Sequence, residues 1–270
     1  MTTAAALEHT INAYNLSAAS ENKIHDDTVA KRFGFEGGLV PGVEVYAYMT
    51  HIPVARFGAD WLSRGTADCR FHKPVYDGRD ATVSGAVQDG DSIALKVEMG
   101  GILCATGQAS LPAAETSPPV DAIPTATLPD HATRPDAAPE TLLEGQVMGT
   151  FEVTHSAAEN AQYVADVRES LPLFVEQGIV HPGLLLRLCN RAISMNVKLG
   201  PWIHVGSAVR NFAAAKVGDR LAAPARIVKE YAHKGHRFVE ADVLLTANGE
   251  TVLSRVHHTA IYRPRQVTGG

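Results

Sequence analysis

The sequence has no long hydrophobic run. No stretch of its 270 residues approaches the roughly 18 consecutive apolar residues that a membrane-spanning helix needs. Its first residues, MTTAAALEHTIN, lack the basic and apolar regions of a secretory signal peptide. These two absences argue against membrane insertion and against export, so we expect a cytoplasmic protein with no membrane partner.

The sequence also lacks a concentrated positive charge and has few cysteines. Its net charge of -5 and its pI near 6.2 argue against a nucleic-acid partner, which usually requires a basic face. Cys69, Cys104 and Cys189 are far apart and odd in number, which favours reduced, buried thiols over disulfides. Of the twelve histidines, His233 and His236 have metal-ligand spacing, but they flank a predicted hairpin turn. We therefore expect no metal site.

Two parts of the chain share one pattern, a long apolar helix followed by β-rich runs. In the first part, a strand over 7–15 and a polar stretch precede a helix over Val43–Phe57 that we expect to be interrupted near Pro53. Period-two runs separated by Asp-Gly and Gly-Gly turns follow the helix. These runs are 66–75, 81–88, 92–99 and 102–111.

A proline-rich segment separates the two parts. Residues 112–139 contain seven of the fifteen prolines and show no periodicity, which is typical of an extended linker. We predict a first unit over 1–111, a linker over 112–143 and a second unit over 144–270.

The second part repeats the first. A strand over 149–154, a helix opened by the capping box of Ser156 and Glu159, and an apolar helix over 184–199 precede four predicted strands. The sequence GLVPG at 38–42 corresponds to GIVHPG at 178–183. In both copies the last glycine precedes a phenylalanine by 29 positions, at Phe71 and Phe212. The repeat predicts an α+β fold in which a sheet wraps around a central helix, twice. The four predicted strands are 203–212, 220–231, 236–246 and 251–262.

The stretch from Ser20 to Tyr48 is the candidate functional site. Asn22 and His25 lie upstream of a glycine-rich turn that ends at Gly42, where the apolar helix begins. Such a turn leaves unpaired backbone N–H groups beside a helix N-terminus, where a partly negative oxygen can bind.

These motifs resemble the MaoC-like dehydratases. The resemblance rests on Asn22-x-Ile-His25, on FEGGLVPG at 35–42, and on Arg-Phe-x-x-Pro-Val-x-x-Gly at 70–78. It covers both halves and implies a double hotdog fold. It also implies a hydratase or dehydratase, a lyase that adds water to an enoyl-CoA thioester or removes it, with CoA as part of the substrate and no other cofactor.

The resemblance assigns roles to residues of the first half. His25 would transfer the proton, with Asn22 beside it, and the backbone N–H of Gly42 would bind the thioester oxygen. The sequence departs from the family pattern at Ser20, where the family has Asp, and at Lys23, where it has Pro. The carboxylate of the family acid–base pair is therefore missing from its usual place.

The second half keeps other parts of the pattern. His181 corresponds to the family's turn histidine, which is Pro41 in the first half, with Pro182 as an extra residue before Gly183. Glu169 falls at the acidic position, and Phe174 occupies the place of the family histidine. Neither half has the complete pair.

Four residues are predicted to line the substrate pocket: Tyr46 and Glu44 on the first helix, and His181 and Gly183 at the second turn. Related hotdog thioesterases place an acid on this helix, so Glu44 could act as a base, although an acid there is also favoured by the helix dipole. Two alternatives therefore stay open, an acyl-CoA thioesterase and a catalytically silent thioester-binding subunit. Two joined units predict a monomer with an internal pseudo-dimer, or a homodimer.

Overall fold

The computed structural model describes residues 7–17, 27–32 and 35–265. Within these residues, the first half contains five strands and three helices. They are β1 (Leu7–Asn12), α1 (Asp27–Arg32), α2 (Gly42–Phe57), α3 (Ala59–Arg64), β2 (Thr66–Phe71), β3 (Asp80–Val87), β4 (Ser92–Met99) and β5 (Ile102–Ser110).

The described part of the second half, which ends at residue 265, contains six strands and three helices. They are β6 (Phe151–Thr154), α4 (Ala157–Asp166), α5 (Leu173–Glu176), α6 (Pro182–Ser194), β7 (Ile203–Asn211), β8 (Arg220–Ala223), β9 (Ala225–His233), β10 (His236–Ala247) and β11 (Thr251–Arg263). The proline-rich segment between the halves contains no strand and forms two short 3-10 turns, His131–Thr133 and Pro139–Thr141. The predicted unit boundaries stay predictions.

One antiparallel sheet joins the two halves. Its order is β1-β3-β4-β5-β2-β7-β11-β10-β8-β6, with β9 paired to β10. The halves meet where β2 pairs with β7, with Cys69 opposite Ser207 and Thr66 opposite Arg210. We call this strand pair the seam.

The two long helices pack together inside the curve of the sheet. Helix α2 is apolar on nearly all sides, and eleven of its sixteen residues are buried, which is expected for a helix enclosed by a sheet and a second helix. Helix α6 is more amphipathic and buries residues such as Leu184, Leu188 and Ile193. Among the described residues, no helix is both long and apolar enough to cross a membrane.

The structure confirms the internal repeat and corrects its register. A single β-bridge, Leu39 to Tyr76, precedes α2, and the equivalent bridge, Ile179 to Lys216, precedes α6. The N-caps of the two helices are Pro41 and His181. Gly42 is therefore equivalent to Pro182, and the prediction that Pro182 is an extra residue before an equivalent Gly183 was wrong.

Several predicted boundaries differ from the structure for identifiable reasons. The single strand expected over 220–231 is divided into β8 and β9 at Pro224, which has no N–H to donate to a strand partner. Helix α2 runs continuously through Pro53, against the predicted interruption. The predicted capping box is confirmed, because the Ser156 hydroxyl accepts from the Glu159 N–H while the Glu159 carboxylate accepts from the Ser156 N–H.

The seam requires a glycine at position 206. A Cβ on Gly206 would lie 2.5 Å from the Cys69 carbonyl oxygen of the facing strand. We predict that Gly206→Ala lowers the free energy of unfolding by about 1–3 kcal/mol, because β2 and β7 would have to separate. Urea denaturation measures this change. Gly200→Ala is the matched control, since nothing lies within 4 Å of a Cβ there, and equal midpoints for the two variants would contradict the prediction.

Candidate functional site

A mostly apolar cavity of about 310 Å³ opens between the two halves at the start of α2. We call it the seam cavity. Its volume lies at the lower end of the range for small-molecule sites, roughly 300–1,000 Å³. Both halves contribute to its lining. The first half contributes Phe35, 39–42, Val45 and 71–75, and the second contributes Asn190, 202–205, His236, Phe238 and Ile261.

A larger cleft of about 980 Å³ lies on the solvent face of β2 and β7. It is lined by exposed strand residues such as Asp68 and by Thr116 and Pro118 of the proline-rich segment. No helix terminus faces it among its described lining residues. The seam cavity differs from this cleft in having a helix start, at Gly42, in its lining.

Gly42 lies on the seam cavity, at the first position of α2. The N-cap residue Pro41 makes no side-chain capping hydrogen bond, and the helical bonds begin with the Glu44 and Val45 N–H groups donating to the Pro41 carbonyl. The earliest N–H groups of a helix have no acceptor within the helix. The predicted position of Gly42 at a helix start beside a pocket is thus what the structure has, while its role in binding an oxygen stays a prediction.

His204 of β7 faces Gly42 across the halves. A Cβ on Gly42 would lie 2.9 Å from His204 Nδ1 and 3.0 Å from Phe71 Cε2. Only glycine therefore allows these two rings to pack this closely against the start of α2. His204 is 6% exposed, and its Nδ1 has no hydrogen-bond partner among the described residues. A buried polar atom without a partner is unusual in folded proteins.

A chain of hydrogen-bonded polar groups leads from His204 Nε2 to Asn190 and Trp202, which also line the seam cavity. His204 Nε2 is 2.8 Å from Ser207 Oγ, which is 2.9 Å from His258 Nδ1. His258 Nε2 is 2.9 Å from Asn190 Oδ1, which also accepts a hydrogen bond from Trp202 Nε1 at 3.0 Å. Burial lowers the pKa of His258 to about 3. Burial, together with the nearby His258, lowers the pKa of His204 well below its usual value. Both rings are therefore neutral near pH 7.

Sequence reasoning missed this chain because strand alternation hides it. In a regular strand, residues three apart point to opposite faces. The β7–β11 register shifts so that Ala260 is opposite His204 and Thr259 is opposite Gly206, which leaves Val205 as the extra residue of a β-bulge. The bulge places His204 and Ser207 on one buried face. His257 and His258 do point to opposite faces, as their adjacency predicts, because His257 is exposed and His258 is fully buried.

The equivalent helix start in the second half is closed. The His181 side chain caps α6 by accepting the Gly183 N–H at its Nδ1, at 3.1 Å. The space beside Gly183 is filled by the Tyr163 hydroxyl and by Ala47. Phe174, at the position where the family has a histidine, is fully buried and packs against the His181 ring at 4.5 Å.

The four residues predicted to line the pocket do not line the seam cavity. Tyr46 is in the core, and His181 and Gly183 lie at the closed helix start. Glu44 is fully buried, and its Oε1 lies 2.5 Å from Arg187 Nε on α6. Burial raises the pKa of Glu44 against the opposing charge of Arg187. The assignment of these four residues to substrate binding stays a prediction.

Glu169 has a histidine partner from the other half. Its Oε1 lies 2.8 Å from His51 Nδ1 on α2, and its Oε2 lies 3.8 Å from His181 Nε2. The His51 ring stacks on His9 of β1 with centroids 3.7 Å apart. Burial alone would raise the pKa of Glu169, but the His181 and His51 rings and the Leu171 N–H outweigh burial and hold that pKa well below its usual range.

The remaining predicted residues of the first half lie outside the described residues. These are Ser20, Asn22 and His25. Their roles stay predictions. In the described part of the chain, no group of three or more His, Cys, Asp or Glu side chains is arranged to hold a metal ion.

Comparison with solved structures identifies the architecture. The chain is similar to a protein from Chloroflexus aurantiacus J-10-fl described as a MaoC domain dehydratase, with a TM-score of 0.63 and 14% identity over 96% of this chain and 94% of that one. It is also similar to a Mycobacterium tuberculosis protein described as a double hotdog, with a TM-score of 0.59 and 14% identity over 94% and 95%. The chain has the double hotdog fold.

The same fold is shared by proteins with another described activity. A Lactobacillus plantarum protein described as an oleoyl thioesterase matches with a TM-score of 0.53 and 9% identity over 98% of this chain and 99% of that one. No family model and no curated protein matches the sequence. The predicted likeness to MaoC-like dehydratases is confirmed in the fold, and both activities stay open.

The buried Glu169 predicts a pH-dependent contribution to stability. Glu169 is 2% exposed, so Glu169→Gln should lower the free energy of unfolding by about 1.5–3 kcal/mol at pH 7, where its carboxylate is ionised and hydrogen-bonded. Because folding lowers its pKa, this contribution is fully present above the unfolded pKa of about 4.3 and is lost progressively as pH falls from there through the lower folded pKa. Urea denaturation at pH 7 and pH 3 should give a smaller difference at pH 3.

Glu176→Gln serves as the control, because Glu176 is an exposed acid nearby on the chain. A difference between wild type and Glu169→Gln that stays constant from pH 7 to pH 3 would contradict the assignment.

Glu44 of α2 and Arg187 of α6 are predicted to depend on each other for their effect on the free energy of unfolding. Arg187→Met should lower the free energy of unfolding by about 3 kcal/mol, because it leaves a fully buried carboxyl group without its partner. Adding Glu44→Leu to that variant should recover most of the loss, since the unpaired acid is removed. Chemical denaturation of both variants tests this, and a double variant no more stable than Arg187→Met would argue against the pair.

Proposed function

We propose that the protein binds an acyl-CoA thioester in the seam cavity and adds water to its enoyl double bond, or removes water in the reverse reaction. The observation that supports this most is the mostly apolar cavity that meets the start of α2 at Gly42, opposite the buried His204. The apolar walls suit an acyl chain, and the first N–H groups of the helix suit a thioester oxygen.

The proposed chemistry needs two things from the protein. Hydration forms a C–O bond at Cβ and moves charge onto the thioester oxygen, so a preorganised N–H donor must stabilise the enolate. The start of α2 can supply that donor. One proton must then leave the water and one must reach Cα, which requires an acid–base group within hydrogen-bond reach. From the family resemblance we propose His25 for this transfer, with Asn22 beside it.

The mouth of the cavity has a cationic side chain. Lys73 is exposed and borders the cavity, where a phosphate of CoA would find an opposite charge. No metal ion or resident organic cofactor is proposed, since CoA enters as part of the substrate. The seam already joins two hotdog units in one chain, which supports a monomer or a homodimer of such chains.

The thioesterase alternative has one argument for it and one against it. The fold is shared with proteins described as thioesterases. However, Glu44, which is the acid that this alternative would use, is fully buried beside Arg187 and does not line the seam cavity. A base without access to substrate cannot activate water there.

An assay that follows two signals separates these activities. A panel of enoyl-CoA and saturated acyl-CoA thioesters is incubated with the protein while enoyl absorbance and free thiol are both recorded. Loss of absorbance without thiol release supports the hydratase, and thiol release supports the thioesterase. A rise in melting temperature with neither signal supports a silent binding subunit.

Gly42→Ala is predicted to lower kcat/KM for enoyl-CoA hydration by about a hundredfold. The added Cβ would enter the space between the helix start and His204, and a displacement of about 1 Å at a reacting centre has effects of this size. Gly200→Ala, which lies outside the seam cavity, should retain the wild-type rate. Wild-type turnover in Gly42→Ala would exclude the start of α2 as the reaction site.

A further inference from the structure

The Trp202 indole determines the direction of every hydrogen bond in the chain that leads to His204. Trp202 Nε1–H can only donate, so the Asn190 atom that it contacts is the amide oxygen. That oxygen can only accept, and it also lies 2.9 Å from His258 Nε2. His258 Nε2 must therefore be the protonated nitrogen of its ring.

The remaining protons follow in sequence. Neutral His258 protonated at Nε2 has a lone pair at Nδ1, so Ser207 Oγ–H donates to it across 2.9 Å. Having used its single proton, the Ser207 oxygen accepts from His204 Nε2, 2.8 Å away. His204 is thus protonated at Nε2, and its lone pair lies at Nδ1.

Among the fully buried polar atoms of this hydrogen-bonded chain, the Nδ1 lone pair is the one that the described residues leave without a partner. Nδ1 of His204 lies against Gly42, at the start of α2, and the ring borders the seam cavity. The burial of His204 disfavours the charged imidazolium, so the ring is suited to accept a hydrogen bond and poorly suited to hold a proton. An acceptor buried without a partner costs free energy unless a ligand supplies a donor.

We propose that His204 Nδ1 is a specificity-determining acceptor that receives a hydrogen bond from a hydroxyl group of the ligand in the seam cavity. The chain from Trp202 to Ser207 keeps His204 in the tautomer that this requires. The inference rests on the proposed function, because it takes the ligand to be an acyl-CoA thioester, and it predicts that a 3-hydroxyacyl group is preferred over the saturated acyl group of the same length.

The tautomer is tested first, without any ligand or activity. In protein labelled with ¹⁵N at histidine, long-range ¹H–¹⁵N spectra near neutral pH should show His204 protonated at Nε2 and unprotonated at Nδ1. The spectrum of His204→Gln identifies the signal by its loss. A signal from Nδ1–H in the wild-type protein would overturn the inference, whatever the enzyme activity is.

Ligand preference is tested with matched thioesters. Equilibrium dialysis measures the binding of 3-hydroxybutyryl-CoA against butyryl-CoA and of 3-hydroxyoctanoyl-CoA against octanoyl-CoA, with any enoyl product quantified by its absorbance. One hydrogen bond to a neutral acceptor should favour the hydroxyacyl form by about tenfold in at least one pair. Equal binding in both pairs would overturn the inference and leave the proposed function intact. If none of the four thioesters binds, both proposals fail.

Two variants locate the preference at Nδ1. His204→Gln places a polar group near the position of Nε2, where it can still reach Ser207, and removes the acceptor at Nδ1. His204→Asn places a polar group near Nδ1 and loses contact with Ser207. We expect the ratio of hydroxyacyl to saturated acyl-CoA affinity to fall to about one in His204→Gln and to stay above one in His204→Asn. A wild-type far-UV circular dichroism spectrum shows that each variant is folded. A tenfold preference retained by His204→Gln would overturn the inference.

Discussion

The pairing of β2 with β7 is the interaction on which the rest of the structure depends. It makes one sheet from two, and it places α2 and α6 against each other on the same side of that sheet. Because β7 begins before the point where it meets β2, its first residues reach the start of α2 in the other half. The seam cavity is a product of this pairing, since neither half has both the helix start and His204.

The two halves have the same plan and different contents. At the start of α2 a glycine leaves room beside a buried histidine, whereas near the start of α6 the Tyr163 hydroxyl packs against Gly183 and His181 caps its own helix. Duplicated units in a single chain are free to diverge in this way, because each copy is encoded separately. One helix start borders the cavity, and the other has become part of the core.

The sequence was sufficient for the architecture because its signals are local. The capping box of Ser156, the paired glycine turns and the period-two runs each specify an element from neighbouring residues, and their repetition predicts the double unit. The candidate site was harder to predict from the sequence. Gly42 could be placed from its turn, but His204 depends on a bulge at Val205 and on partners as distant as Asn190 and His258. The partners of Glu44 and Glu169 were equally hidden, because Arg187 and His51 belong to the opposite half.

The Glu44–Arg187 pair also bears on which units can associate. By the corrected register, Glu44 is equivalent to Leu184 and Arg187 to Ala47. If two copies of the first unit paired with each other, each buried Glu44 would meet Ala47, and if two copies of the second unit paired, each Arg187 would meet Leu184. Only the mixed pair matches acid with base, and an unmatched buried charge disfavours the other assemblies. The charged pair therefore favours the mixed assembly. Neither unit could form a stable symmetric dimer through this interface unless its own charged residue, Glu44 or Arg187, were first replaced.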